Sequence, residues 1–199
     1  MSTITWYKSV NSTNSIAKEQ LEAADNMSVI ATFEQSAGRG QGTHTWYATP
    51  GKNLTFSIIF KPSALAASDA LYLTRITTLS LLSFLKGHGV NARIKWPNDI
   101  WVEDKKICGI LIESILSDGL VKAAIIGIGL NINEKDWPGD LPNPVSLGEL
   151  TGKDYDVRAE LEAFVKEFSR HASMLDNTDG RTYLCSEFEK HVFRLPEAL

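Results

Sequence analysis

Apolar positions along the chain fall into short runs of strand length and longer stretches with helical spacing, separated by turn-forming residues. Residues 6–10 (WYKSV) read as a short strand, and Ser12 or Thr13 can cap a helix reaching residue 23, with Ile16, Leu21 and Ala24 near one face. Residues 28–34 (SVIATFE) are β-branched and apolar, as a buried strand requires, and 54–60 form another strand. Between them, residues 36–52 (SAGRGQGTHTWYATPGK) make a long loop rich in Gly, Ser and Thr. Ser68 or Asp69 opens an apolar helix that runs to Lys86 and stops at Gly87 and Gly89. Residues 92–95, 100–102, 106–114 and 121–130 then read as strands split by WPND, EDKK and SDG, turn signals that favour antiparallel hairpins over parallel crossovers. A proline-rich surface loop spans 136–146, and 146–150 begin a short helical piece. Asp156 caps a helix to about residue 175, with Leu161, Phe164, Val165 and Phe168 inward, and a last helix covers 182–192. The predicted fold is α+β: a mixed, largely antiparallel sheet with helices on one face, closed by two C-terminal helices.

Composition narrows the function more than the fold. The 199 residues are 43 % hydrophobic and 22 % charged, which suits a folded domain with its own core. A formal net charge of -4 argues against nucleic acid or an anionic membrane as the main partner. Cys108 and Cys185 form no CxxC and no cluster with the histidines, so neither a zinc site nor a disulfide framework is expected, and the cytoplasm is the expected compartment. The N-terminus lacks the apolar segment of a signal peptide, and the longest apolar stretch, 76–85, is too short to span a membrane.

Four segments carry candidate chemistry, each with a plainer alternative. In Gly38-Arg39-Gly40-Gln41-Gly42 the glycines let backbone N–H groups approach an anion, and Arg39 can grip carboxylate or phosphate with two N–H groups; the same run suits a flexible surface loop. It is neither a P-loop, because GxxxxGK[ST] is absent, nor a Rossmann turn, because no helix follows. Trp46 nearby can stack on a flat heterocycle or anchor the core. Lys95-Trp96-Pro97-Asn98-Asp99 reads as a turn whose Lys95 and Asp99 could position phosphate or metal. In the strand KKICGILIE, Gly109 suggests close approach by a flat group or another backbone, with a lysine beside the gap. In GIGLNIN, Gly127 and Gly129 share a strand face and leave a slot, with Asn131 and Asn133 at its end. Neither cysteine reads as a covalent nucleophile.

In their order, Ser12-Thr13-Asn14, Gln35 with Ala37-Gly38-Arg39-Gly40, Trp46, KWPND, KKICGILIE and GIGLNIN closely resemble the biotin protein ligase family over residues 10–195. Lipoate ligases and octanoyltransferases share that fold but lack the combination of KWPND and GRG. The resemblance implies a catalytic domain related to the core of class II aminoacyl-tRNA synthetases. It implies ATP-dependent formation of biotinyl-5'-adenylate with Mg²⁺, then transfer of biotin to a lysine of a biotin carboxyl carrier domain. By motif match, Ser12, Thr13 and Gln35 hold the ureido ring, Asn14 joins the biotin-binding set, Gly38, Arg39 and Gly40 fold over biotin and adenylate, and Gly109, Gly127 and Gly129 line the biotin slot. Arg39, Gln41, Trp46, Asn98, Lys106 and Asn131 fall toward ATP and the adenylate, Asp99 toward the Mg²⁺, and Lys106 on the activated carboxyl, so that Arg39 and Lys106 are the expected catalytic pair. Arginines stand in some members where this chain has Gln41 and His44. The resemblance also implies a single catalytic domain over 1–195, residues 196–199 as the start of an absent SH3-like domain, no N-terminal DNA-binding domain and a possible homodimer. The competing expectations are a lipoate or octanoate ligase relative and a non-catalytic biotin-binding protein.

Overall fold

The computed structural model describes residues 3–139 and 141–193; the expected domain remnant at 196–199 lies outside them. The strands are β1 (Ile4–Tyr7), β2 (Ser28–Thr32), β3 (Leu54–Phe60), β4 (Arg93–Lys95), β5 (Asp99–Val102), β6 (Lys105–Ser117), β7 (Leu120–Leu130) and β8 (Val192–Phe193). The helices are α1 (Thr13–Glu19), α2 (Leu71–Gly87), α3 (Leu147–Thr151), α4 (Val157–Ala172) and α5 (Thr178–His191). All eight strands join one sheet in the order β1-β2-β3-β7-β6-β5-β4-β8. The β1–β2 and β4–β8 pairs are parallel and the rest antiparallel, so the mixed, largely antiparallel sheet expected from the turn signals is present. The SDG signal works as a hairpin because Asp118 (φ 53°) and Gly119 (φ 77°) both take the left-handed conformation that a tight two-residue turn needs.

Residue parity divides the sheet. On β3, Leu54, Phe56, Ile58 and Phe60 enter the main core with Phe164 and Phe168 of α4, while Ile59 joins Ala17, Leu21, Ile30, Ala123 and Ile125 beneath α1. Every β3 residue is buried, the polar Thr55 and Ser57 included. Helices therefore cover both faces, correcting the one-face expectation: α2, α4 and α5 lie on one side and α1 on the other. The sequence concealed this because α1 is short, with Ala17 and then Leu21, just beyond its end, the apolar side chains buried there. The last helix starts at Thr178, ahead of the expected 182, because the Asn177 side chain accepts from Gly180 N at 2.7 Å and overrides the glycine in the first turn. Val192, expected as the end of that helix, instead joins Phe193 in β8 beside β4.

The aromatic centre of the core is Phe164. Its ring sits 5.4 Å edge-on to Phe56, 6.2 Å from Phe84 and 6.3 Å from Phe168, and it is fully buried. Phe164→Ala should cost about 3–5 kcal/mol of stability, the usual range for such a cavity. Urea unfolding followed by far-UV circular dichroism checks this, and an unchanged midpoint would contradict the packing described.

Candidate active site

Antiparallel partners share a sheet face, so the register specifies the floor of the site. One row across the sheet reads Thr55, Gly129, Gly109, Asp99 and Lys95, and the next reads Ser57, Gly127 and Leu111. A third reads Ile59, Ile125 and Glu113. Above the first two rows lies a cleft of about 400 Å³, walled by the start of α1, the loop after β2 and the β4–β5 turn. Of the expected residues, Ser12, Thr13, Asn14, Gln35, Arg39, Gly40, Gln41, Trp46, Asn98, Asp99, Lys106, Gly109, Gly127 and Gly129 line it.

At one end, the N-terminus of α1 presents three buried polar residues, Ser12, Thr13 and Asn14. Gln35 Oε1 accepts from Thr13 N at 2.7 Å and fixes the helix start against the end of β2. Ser57 Oγ lies 2.6 Å from Asn14 Oδ1 and 2.8 Å from Thr13 Oγ1; its single proton goes to Asn14 Oδ1, which can only accept, and Thr13 then donates to Ser57. Asn14 Nδ2 donates to Glu113 Oε2 at 2.7 Å, and a Cβ at Gly127 would collide with the Asn14 amide. The Asn14 amide is thus committed to the protein. Ser12 makes no side-chain cap bond, and Ser12, Thr13 and Gln35 line the cleft.

The GRG loop folds on itself as a small hairpin. Gly40 N donates to His44 O at 2.7 Å and Trp46 N to Gly38 O at 3.0 Å, and a Cβ at Gly38 would stand 2.5 Å from Trp46 O. The first two glycines are therefore needed for close backbone approach. The hairpin lays the Trp46 indole on the sheet: a Cβ at Gly109 would meet its ring at 2.8 Å, and one at Gly129 would collide with it outright. The glycine slot is real, and Trp46 occupies part of it with its Nε1 buried and unpaired. Gly38 itself lines the outer side of the loop and not the cleft.

Cations gather at the other end. Lys106 Nζ lies 2.8 Å from Asp99 Oδ1 and 5.7 Å from the Trp46 ring centre, while Lys95 Nζ is 3.9 Å from Asp99 Oδ2. Asn98 lines the cleft, but its Nδ2 donates to Ile110 O at 3.1 Å. Asn131, expected near the phosphates, is buried behind the wall: its Nδ2 donates to Val145 O at 3.0 Å, tying down the 141–146 segment. Among the described residues no group of three His, Cys, Asp or Glu side chains is placed to hold a metal ion. Cys108 points into the core, where burial pushes its thiol far above the ordinary value, so it supplies no nucleophile.

Glu113 escaped the motif reading. Burial works to raise its pKa, but hydrogen bonds from Asn14 and Arg39 outweigh that and hold the carboxyl below its usual value. Its signal was parity, since Gly109, Leu111 and Glu113 alternate on one face of KKICGILIE. Ser57, a lone serine in an apolar strand, gave a similar hint.

A mixed sheet with a polar helix start, a glycine slot and a clustered cationic end defines a ligase-type α+β domain. It is similar to the solved biotin protein ligase from Aquifex aeolicus in complex with biotin and ATP, at a TM-score of 0.83 and 27 % identity over 97 % of this chain and 79 % of that one. The chain belongs to the biotin/lipoate A/B protein ligase family, whose model matches residues 6–131. A relative in Paracoccus denitrificans, a biotin–[acetyl-CoA-carboxylase] ligase, is 31 % identical over 83 % of this chain and 71 % of its own length. The bifunctional ligase/repressor BirA of Bacillus spizizenii is 31 % identical over 64 % of this chain, and the match spans only 40 % of that protein. Among the described residues, no helix is long and apolar enough to cross a membrane.

Seating of Trp46 on glycine has an optical consequence. The chain has five tryptophans, so the Trp46 contribution must be isolated by difference. Gly129→Ala should expel the indole and red-shift the fluorescence, with no such shift when made in a Trp46→Phe background. Equal shifts in both backgrounds would contradict the placement.

Proposed function

We propose that this chain joins biotin to ATP as biotinyl-5'-adenylate and passes the biotinyl group to a lysine on a biotin carboxyl carrier domain. The observation that carries this reading is the polarity of the cleft: uncharged hydrogen-bonding groups at one end, Lys106 at the other, and an apolar glycine floor between. Biotin has that pattern, with a ureido ring, an apolar ring and chain, and a terminal carboxylate. The family membership and the relatives' names support the same chemistry.

A carboxylate oxygen attacks the α-phosphorus, the bond from that phosphorus to the bridging oxygen breaks, and pyrophosphate leaves with the electron pair. Two anions must meet, so positive charge that strengthens in the transition state lowers the barrier. Lys106, at the head of β6, stands where it can meet the carboxyl and phosphate, and Arg39 approaches from the loop. Lys106 reaches them by loosening its pair with Asp99. In the second step the carrier amine attacks the acyl carbon, AMP leaves with the electrons of the C–O bond, and the amine loses a proton. A mixed anhydride hydrolyses where water reaches it, and the GRG hairpin over the sheet limits that access.

Mg²⁺ would neutralise phosphate charge. Asp99 is the carboxylate nearest to that role, but Lys106 and Lys95 already face it, so the protein alone forms no cation site and the nucleotide would supply most ligands. Ser12, Thr13 and Gln35 would favour biotin over a lipoyl chain, which would leave these buried groups unpaired. The carrier of a biotin-dependent carboxylase is the expected partner, in keeping with the Paracoccus relative's name.

Mass spectrometry of an apo carrier domain incubated with the protein, Mg-ATP and biotin tests this directly. A biotin-sized gain on the carrier lysine, absent with lipoate, is expected; bound biotin without adenylate or transfer would overturn it in favour of a binding protein. Lys106→Ala should fold normally and slow adenylation by ~10²-fold or more, the usual loss of a transition-state donor. Arg39→Ala should impair adenylate formation or retention far more than stability, because its side chain is largely solvated. Wild-type rates in either variant would remove that residue from the mechanism.

A further inference from the structure

We propose that Glu113 is a positioning residue, linking the polar start of α1 to the loop arginine and thereby fixing where the guanidinium stands beside the cleft. The inference rests on the ligase reading above. One oxygen carries the link: Glu113 Oε2 accepts from Asn14 Nδ2 at 2.7 Å and from Arg39 Nη2 at 2.6 Å. The two donors come from separate segments, the first turn of α1 and the GRG hairpin.

Several observations argue that this link serves alignment and not stability. The Arg39–Glu113 pair is half open to water, with side-chain exposures of 46 % and 35 %, and pairs so solvated contribute little to folding. Yet the guanidinium of this exposed loop residue is held at a short, charge-assisted distance. Glu113 stays ionised because Asn14 and Arg39 together outweigh its partial burial, and Lys18 on α1 adds favourable charge. Arg39 uses one N–H on Glu113, which leaves further N–H groups of a planar fork aimed by that anchor.

Asn14 is the second half of the device. Its oxygen is held by Ser57 and its amide nests in the space that Gly127 leaves empty. Its position therefore follows the floor of the cleft closely. Through Oε2 that fixed amide in turn holds Arg39. An alanine at 113 breaks the chain at its shared atom while leaving both ends in place. The geometry makes Glu113 act only through Arg39 and Asn14, never on substrate.

A double-mutant cycle of Glu113→Ala and Arg39→Ala separates this role from a merely structural one. The readouts are biotin-dependent adenylate formation and the rate at which adenylate escapes in the absence of carrier. Glu113→Ala alone should slow adenylation about tenfold and speed escape, with a smaller change in KM for ATP than in kcat. In the Arg39→Ala background the same substitution should change the rate less than about twofold, because the group it aims is gone. Glu113→Gln, isosteric and still offering one acceptor oxygen, should fold like the wild type and lose less than Glu113→Ala; it carries the cycle if the alanine variant is unstable. Equal losses in both backgrounds, or no loss in the first, would overturn the positioning role. Wild-type protein that forms no adenylate would instead overturn the ligase reading itself.

Discussion

Everything functional here depends on hydrogen standing where a Cβ would stand at positions 109, 127 and 129. Glycine weakens a strand, because it adds backbone freedom and offers no side chain to pack. The sheet tolerates three of them because the cost falls on one face only. The even positions of β6 and β7, among them Ile110, Ile126 and Ile128, bury their side chains in the main core. Among the odd positions, Gly109, Leu111, Gly127 and Gly129 face the cleft, while Ala123 and Ile125 pack beneath α1. Asn14 enters the space at Gly127 and the Trp46 indole enters that at Gly109 and Gly129, so the bare strip becomes a floor with defined walls.

The loop that covers this floor is pinned at its ends and looser between. At its entry, Ser36 N and Ala37 N donate to Val10 O and Asn11 O at 3.0 and 2.9 Å. At its exit, the fully buried Glu134 carboxylate accepts from Thr49 N and Asn53 Nδ2, both at 3.2 Å. Burial opposes ionisation of Glu134, but the bonds from Thr49 and Lys52 outweigh it and keep its pKa below the ordinary value. Residues 41–45 between these anchors are exposed. A segment with firm ends and few buried contacts in the middle can open to admit substrate and return to one closed geometry.

Sequence reading went furthest where one physical signal dominated. The strand expected at 54–60 coincides with β3 at both ends, where every residue is buried. The hairpin signals at SDG and EDKK held because their residues supply the required backbone angles, with Glu103 at φ 54° and Asp118 at φ 53°. What was lost lay in tertiary pairing. β8 is two residues long and exists only through its bonds to β4. The motif order indicated the family, but spacing alone could not separate a cleft wall from its support. Asn131 holds a strap behind the wall, and Glu113, a charged residue in a strand that continues to Ser117, carried no motif signal; the register puts it beside Asn14.

In the proposed reaction one cleft holds an organic acid and a nucleotide end to end, with Lys106 at the junction. Exchange of labelled pyrophosphate into ATP, measured on this chain without any carrier, tests that most directly. Exchange that requires biotin and is not supported by lipoate is the predicted result. Binding of biotin and ATP without exchange, or exchange indifferent to which acid is present, would contradict it.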